Sequence, residues 1–278
     1  AYIGTGTGIT VTESGGSTSV SESGSTDSFT VVLNAQPSSD VVLSVVSADT
    51  GEATVSPAQL TFTNSNWDTA QTVTVTGADD SVVDGSQTTA VTVAVVDGSS
   101  DDAYDSVADS TVSVTTSDDD TASFTLSGTA VTVSEAGSTA TFTVVLGAQP
   151  ASDVVLSVVS ADTGEATVSP AQLTFTSSNW NAAQTVTVTG VDDNLTDGNQ
   201  TTAVTVAVVD ASSDNAFDAL ADQTVTVTTS DDDSPGVSVS ESDGSTATTE
   251  SGGTDTFTVV LNTPVSYTHL TLPTILLV

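Results

Sequence analysis

Between residues 121 and 233, short stretches of the chain alternate apolar and polar residues with a period of two. Valine, leucine and phenylalanine take every second position, and threonine and serine fill most of the places between them. Such alternation is typical of β-strands with one buried face. It predicts seven strands, A to G, whose inward residues are Val131 and Val133; Phe142, Val144 and Leu146; Val154, Leu156 and Val158; Leu173 and Phe175; Val186 and Val188; Val204, Val206 and Val208; and Val225 and Val227.

The breaks between these strands carry glycine, proline, asparagine, aspartate and serine, the residues that turns require. Seven short antiparallel strands in about 100 residues, with no helical period, predict an immunoglobulin-like sandwich of two sheets. Cysteine is absent, so no disulfide bond cross-links the fold. We expect Trp180, in the D–E turn, to close one edge of the core; a carbohydrate-stacking platform is the alternative role.

The same pattern occurs more than once along the chain. When residues 29–120 are aligned with 142–233, an offset of 113, 17 of 92 positions differ and 75 match. A third copy begins near Gly236 and follows the pattern as far as Asn262. A period of this length is a whole domain rather than a solenoid repeat. The sequence therefore predicts tandem sandwich modules at 1–120 and 121–233, and the truncated start of a third module at 234–264.

The last segment, 265–278, does not belong to the repeat. It holds the single histidine, His269, together with several leucines and no acidic residue. We interpret it as a non-native tail, with a genuine C-terminal strand as the alternative, and we interpret the whole chain as a fragment because it begins with Ala1 rather than methionine.

The chain carries a large negative charge that no basic side chain offsets. It has 36 acidic residues and neither lysine nor arginine, which gives a formal net charge of −36. Nucleic acids and anionic membranes are poor partners, because basic side chains must replace their counterions. No apolar run is long enough for a membrane span. Cations are the partners that this composition favours.

The predicted topology collects many of these acids at one pole of each module. Consecutive loops of a sandwich alternate between its two ends, so the A–B, C–D and E–F loops and the end of strand G share a pole. In the second module these segments carry Glu135, Asp162, Glu165, Asp192, Asp193, Asp197, Asp231, Asp232 and Asp233. In the first module they carry Glu22, Asp49, Glu52, Asp79, Asp80, Asp84, Asp118, Asp119 and Asp120. Each pole is expected at the junction with the next module.

Several carboxylates within a few ångströms cannot all ionise without a compensating positive charge. Ca²⁺ suits a crowded, flexible site of carboxylate and carbonyl oxygens better than Mg²⁺ does. Zinc prefers histidine or cysteine, which the repeats lack. The alternative is that these acids only solvate loops and protect sheet edges. At the opposite pole, the F–G loop of the first module holds Asp97, Asp101, Asp102, Asp105 and Asp109, and Asn215 replaces one acid in the second; this loop is either solvated or a weak ion site.

Four motifs of the second module carry a resemblance to a known family. They are Val131-Thr132-Val133-Ser134-Glu135, Leu173-Thr174-Phe175, Val186-Thr187-Val188 leading to Asp192-Asp193, and the closing Asp231-Asp232-Asp233. The chain resembles Calx-β domains and the long repetitive, adhesin-type surface proteins of bacteria that use similar domains. The resemblance implies Ca²⁺ bound at domain junctions by Glu135, Asp162, Asp192, Asp193 and Asp231 to Asp233, and by their first-module equivalents. Thr163 to Thr167 stand where the family has Asp-Tyr, and Asp197-Gly198 where it has glutamate.

The sequence favours a structural function. We expect Ca²⁺-stiffened rod segments of a long secreted or cell-surface protein, partnered by neighbouring repeats, with any glycan or cell-surface target bound through other regions. One alternative is that the modules themselves bind glycan or protein through Trp67 and Trp180 or through exposed threonine rows such as Thr185, Thr187 and Thr189. Another is a subunit of an extracellular filament or surface layer. We expect no enzyme, because a nucleophilic hydroxyl needs a base and the single histidine lies in the suspect tail.

Overall fold

A computed structural model describes residues 6–264, and this part of the chain is almost entirely β-structure. The chain divides into two compact units. Of the described residues, unit 1 holds 6–122 and 147–151, and unit 2 holds 123–146 and 152–264. Each unit contains a two-sheet sandwich, so the predicted all-β fold class is confirmed. The tail at 265–278 and His269 lie outside the described residues.

In unit 1 the sandwich is built from β1 (Ile9–Glu13), β2 (Thr18–Ser21), β3 (Thr26–Leu33), β4 (Val41–Ser47), β5 (Ala53–Ser56), β6 (Gln59–Phe62), β7 (Gln71–Gly77), β9 (Gln87–Val95) and β10 (Ser110–Ser117). One sheet has the order β1-β3-β7-β5 and the other β2-β10-β9-β4-β6. A two-residue strand, β8 (Val82–Val83), pairs with β14 (Gln149–Pro150), which also belongs to unit 1. Two short 3-10 turns span Ser14–Gly16 and Asp97–Ser99.

In unit 2 the same arrangement recurs with β11 (Phe124–Leu126), β12 (Ala130–Ser134), β13 (Thr139–Leu146), β15 (Val154–Ser160), β16 (Ala166–Ser169), β17 (Gln172–Phe175), β18 (Gln184–Gly190), β19 (Gln200–Val208) and β20 (Gln223–Ser230). Its sheets have the orders β11-β13-β18-β16 and β12-β20-β19-β15-β17. A 3-10 turn spans Asp210–Ser212, and a hairpin of β21 (Val237–Glu241) and β22 (Phe257–Leu261) follows.

The strand count differs from the predicted seven, because a short strand of the other sheet precedes each of the predicted strands A and D. Strand A is β12, and β11 precedes it in the other sheet; strand D is β17, and β16 precedes it across the Pro170 turn. Proline has no N–H for the ladder, so the chain changes sheets there. In unit 1, Gly15 has a φ of 70°, a conformation that favours glycine, and sits in the turn between β1 and β2.

The cores are filled by most of the inward residues that alternation predicted, whereas Val131 and Val208 are only half-buried. Phe142, Val144 and Leu146 are at most 3% exposed, and their unit 1 equivalents Phe29 and Val31 are fully buried. Threonine and serine on the alternate positions face solvent or are half-buried. The alternating pattern therefore records which sheet face packs against the opposite sheet. No helix among the described residues is long and apolar enough to cross a membrane.

One glycine permits the close approach that brings the ends of β12 and β18 together. A Cβ at Gly190 would lie 2.1 Å from the backbone oxygen of Ser134, the residue before Glu135. Backbone cannot yield as a flexible side chain does, so we expect Gly190→Ala to destabilise unit 2 by at least about 2 kcal/mol. Thermal unfolding of the full chain measures this. Gly128→Ala is the matched control, since nothing lies within 4 Å of a Cβ there, and its effect should stay within about 0.5 kcal/mol. Equal melting temperatures for the two variants would contradict the packing argument.

Candidate metal centre

The acid-rich pole of each unit is built by one parallel strand pair. In unit 2, β12 runs parallel to β20, with Ser134 opposite Ser230. The chain therefore leaves both strands at the same end of the sandwich, and the Glu135 amide donates a hydrogen bond to the Ser230 carbonyl over 3.1 Å. Because β2 pairs with β10 in the same way, Glu22 and Ser117 make the equivalent contact in unit 1. The predicted convergence of these segments thus follows from strand direction.

Among residues 6–264, three groups of carboxylates come close enough to share a cation. Within each group, one ligand oxygen from each residue lies within 4.8 Å of the others. Unit 1 has one such group, and unit 2 has its counterpart and a second group that shares Asp193 with it. The groups are Glu22, Asp80 and Asp120; Glu135, Asp193 and Asp233; and Glu165, Asp193 and Asp197.

The glutamate of the first two groups is buried inside a polar, acidic end of the sandwich. Glu22 and Glu135 are each 1% exposed. Burial, followed by repulsion from Asp118 and Asp80, raises the pKa of Glu22 to about 7, and the amide of Asp119 opposes the shift. Burial also raises the pKa of Glu135. Each glutamate is therefore costly to ionise unless a positive charge is nearby.

Several carboxylate oxygens at this pole have no hydrogen-bond partner although they are inaccessible to solvent. In unit 2 these atoms are Oε2 of Glu135, Oε2 of Glu165 and Oδ2 of Asp233; in unit 1 they are Oε2 of Glu52 and Oδ2 of Asp120. Burial is the leading cause that raises the pKa of Asp120, Asp233, Glu52 and Glu165 as well. Buried acceptor atoms are normally satisfied. These unpaired oxygens are therefore free to accept a proton or a cation.

Other predicted acids order the loops rather than joining the three groups. Asp231 accepts hydrogen bonds from the amides of Gly198 at 2.7 Å and Asp233 at 2.8 Å. Asp118 accepts equivalent bonds from Gly85 and Asp120. These bonds tie the E–F loop to the segment after strand G and so fix the position of the grouped carboxylates.

The remaining predicted acids contribute charge around the groups. Asp49 and Asp162 are exposed and each accepts a hydrogen bond from the glycine two residues later, so they shape the C–D turn. Both still repel the glutamate of their own loop. Within the described residues, the members that stay outside the three close groups are Asp49, Glu52, Asp79, Asp84, Asp118, Asp119, Asp162, Asp192, Asp231 and Asp232.

Two buried threonines that support the site were missed by the sequence interpretation. Thr116 and Thr229 are fully buried at the end of strand G. Their hydroxyls donate to the backbone carbonyls of Glu52 and Glu165, both over 3.2 Å, and so hold the C–D loop at this pole. The available signal was a polar residue at an inward position of a strand that otherwise places valine there.

The opposite pole uses its acids differently. Asp101 accepts hydrogen bonds from the amides of Ser38 at 2.6 Å and Ser39 at 3.1 Å, and from the Ala103 amide at 3.0 Å. These bonds lower its pKa to about 2. Asp214 makes the matching contacts to Ser152 and Ala216 in unit 2. Asp101 and Asp214, which occupy the same position of the two F–G loops, therefore hold the B–C loop of each unit by hydrogen bonds.

The tryptophans are half-buried rather than displayed. Trp67 packs against the core of unit 1, and its carbonyl accepts the Leu33 amide at 3.1 Å. Trp180 accepts the Leu146 amide in the same way. This environment matches a plug at the edge of the core.

The two poles give the metal-free protein opposite responses to pH. A carboxyl with a raised folded-state pKa, such as Glu22 at about 7 against an ordinary 4.5, binds protons more readily when folded, so stability falls as pH rises through that window. Asp101, at about 2 against 3.8, contributes stability that is lost as pH falls through its folded value. When a chelator keeps the protein free of metal, we expect its melting temperature to be highest near pH 4–5 and lower at pH 8. Calorimetry across this range tests the pattern; a melting temperature that rises steadily to pH 8 would contradict it.

No family model and no curated protein matches this chain. Among solved structures, it is similar to CBD12 from CALX1.2, at 15% identity and a TM-score of 0.30 over 71% of this chain and 79% of that one. Calcium binding domain CBD12 of CALX1.1 gives 14% identity and a TM-score of 0.30, over 71% and 80%. Domains 1–6 of the surface layer protein SbsC give 15% identity and a TM-score of 0.35, over 92% of this chain and 36% of that one. The functional proposal for this chain rests on its own carboxylates.

Proposed function

We propose that each unit is a Ca²⁺-binding structural module of a long secreted or cell-surface repeat protein. The observation that carries the proposal is the environment of Glu135. Its carboxylate is 1% exposed, its Oε2 atom has no hydrogen-bond partner, and the carboxylates of Asp193 and Asp233 lie within 4.8 Å. With no lysine or arginine in the chain, only a cation or a proton from solution balances this charge.

The donor set favours calcium among the common metal ions. Every member of the three groups is a carboxylate, which suits hard cations, and none is a histidine or cysteine. Groups that share Asp193 offer a crowded set of oxygens on loops, and Ca²⁺ accepts six to eight such ligands with flexible geometry. Mg²⁺ requires near-ideal octahedral geometry and gives up its bound water molecules reluctantly, so it should bind this site more weakly than Ca²⁺ does.

Calcium at this pole would act on the mechanics of the chain. The acid run Asp118 to Asp120 follows β10, and the next sandwich strand, β11, begins at Phe124. Unneutralised, these acids repel one another and every other negative charge nearby. We propose that Ca²⁺ removes this repulsion and stiffens the chain, with an affinity of about 10⁻⁴–10⁻³ M that suits extracellular calcium.

Small-angle scattering of the full chain tests this role. At 10 mM CaCl₂ we expect a larger maximum interatomic distance than in EDTA. NaCl matches the ionic strength of the two conditions. MgCl₂ is the control cation. Identical scattering with and without calcium would leave no mechanical role for the ion, even if it binds.

A further inference from the structure

A short segment from the second repeat of the sequence belongs to unit 1. Residues 147–151 follow β13 in the chain, yet they group with unit 1 rather than with the sandwich that contains β13 and β15. Within this segment, β14 runs parallel to β8, with Gln149 opposite Val82. The Gln149 amide donates a hydrogen bond to the Ser81 carbonyl over 2.7 Å. The E–F loop of unit 1, which contains β8, therefore holds this segment in place.

The first repeat contains the same three residues without such a partner. The sequence Ala148-Gln149-Pro150 corresponds to residues 35–37 at the offset of 113. Residues 35–37 form no strand, and Gln36 is exposed. By contrast, Gln149 lies in β14 and is half-buried, and Ala148 is 2% exposed. The sequence Ala-Gln-Pro is therefore not a strand by itself, and pairing with β8 makes it one.

The strand β8 is held on both sides by carboxylates of the acid-rich pole. Before it, the Asp80 carboxylate accepts the Val82 amide at 2.7 Å. After it, the Asp118 carboxylate accepts the amides of Asp84 at 3.1 Å and Gly85 at 2.8 Å. Asp80 also belongs to the close carboxylate group of unit 1. The position of β8 thus depends on the same side chains that would bind the cation.

Charge repulsion acts on this loop when no cation is bound. Asp80 and Asp84 both repel the carboxylates of Glu22 and Glu52. No lysine or arginine of the chain offsets this repulsion, which is relieved when the loop moves away from the pole. Such a movement would also carry β8 away from β14. A cation that binds Asp80 holds the loop at the pole, and so favours the strand pair.

We propose that β8 is a docking site for the Ala-Gln-Pro segment of the following repeat, and that cation binding by Glu22, Asp80 and Asp120 strengthens this docking. The inference rests on the proposed function, because it takes Ca²⁺ as the cation. The coupling is reciprocal: calcium favours the strand pair, and the strand pair raises the affinity of unit 1 for calcium by the same factor. The contribution of one backbone hydrogen bond sets the scale, so we expect a factor of about five.

Amide exchange in the full chain tests the effect of calcium on the strand pair. The exchange of the Gln149 amide with solvent is measured by NMR at pH 8, in 10 mM CaCl₂ and in EDTA, with NaCl to match the ionic strength. We expect calcium to slow this exchange by about fivefold. The Ser38 amide is the control, because it donates to Asp101 at the opposite pole of unit 1 over 2.6 Å. Its exchange should not change.

A variant that lacks one amide tests the reciprocal effect. Gln149→Pro removes the N–H that donates to Ser81. The calcium affinity of unit 1 is measured by calorimetry in a full chain that also carries Glu135→Gln, which weakens the site of unit 2. We expect Gln149→Pro to raise the dissociation constant by about fivefold. Gln149→Ala keeps the amide, and Gln36→Pro alters the equivalent residue that lies in no strand, so both should leave the affinity unchanged.

The outcomes separate this inference from the proposed function. If calcium binds but does not slow exchange at Gln149, or slows it equally at Ser38, the coupling is overturned and calcium binding stands. The same is true if Gln149→Pro and Gln36→Pro bind calcium with equal affinity. If the parent chain shows no saturable calcium binding, the proposed function fails and the coupling fails with it.

Discussion

Addition of 10 mM CaCl₂ to the metal-free protein at pH 8 is expected to raise its melting temperature by about 10 °C. For a site with a dissociation constant near 10⁻⁴ M, this calcium concentration is about 100 times the dissociation constant, and binding then stabilises the folded state by about 2.7 kcal/mol. Each unit has at least one of the close carboxylate groups, so both unfolding transitions should move upward if these groups bind calcium as proposed. Differential scanning calorimetry with and without calcium measures the shift.

Screening of the net charge is the competing explanation for any stabilisation by salt. Salt weakens repulsion among 36 acidic residues regardless of where they lie. NaCl at matched ionic strength is therefore the control, and we expect it to raise the melting temperature far less than CaCl₂ does. Equal shifts with the two salts would show that the acid pole has no specific affinity for calcium.

Replacement of Glu135 by glutamine is expected to have opposite effects in the two conditions. Without metal at pH 8, the substitution removes a buried charge and its repulsion from Asp231 and Asp193, so unit 2 should melt higher than in the parent chain. With calcium, unit 2 should lose most of the calcium-induced rise in melting temperature, because a neutral amide replaces the buried carboxylate. We expect its calcium affinity to fall by at least about tenfold.

The matched control for Glu135→Gln is Asp153→Asn. It removes the same formal charge from an exposed residue next to the B–C loop, outside the acid pole. Calcium should raise the melting temperature of this variant as much as it raises that of the parent chain. A loss of the increment in both variants would attribute the effect to net charge, and a lower metal-free melting temperature for Glu135→Gln would show that its carboxylate is already satisfied.

The sandwich was predictable from sequence because burial in a sheet imposes a period of two. Phe142, Val144 and Leu146 occupy every second position of their strand and are buried as expected. The strands β11 and β16 were missed because each has only three or four residues and its apolar positions are few. The change of sheet between β11 and β12, and between β16 and β17, depends on local turn geometry, which alternation does not record.

The convergence of acids at one pole was also predictable, because loop order and strand direction fix which segments meet. Two properties were not. The burial of Glu135 depends on the packing of β12 beside β18 at Gly190, a contact between segments far apart in sequence. The division between grouped carboxylates and loop-ordering ones, such as Asp193 and Asp231, depends on hydrogen bonds that identical residue types could make in several ways.

Isothermal titration calorimetry of the full chain with CaCl₂ at pH 8 tests the central claim most directly. We expect saturable binding of at least two ions per chain, one or more in each unit, with dissociation constants near 10⁻⁴ M. In a chain that carries both Glu22→Gln and Glu135→Gln, this binding should fall by at least about tenfold. Unsaturable heats in the parent chain, or the same isotherm in the double variant, would contradict it.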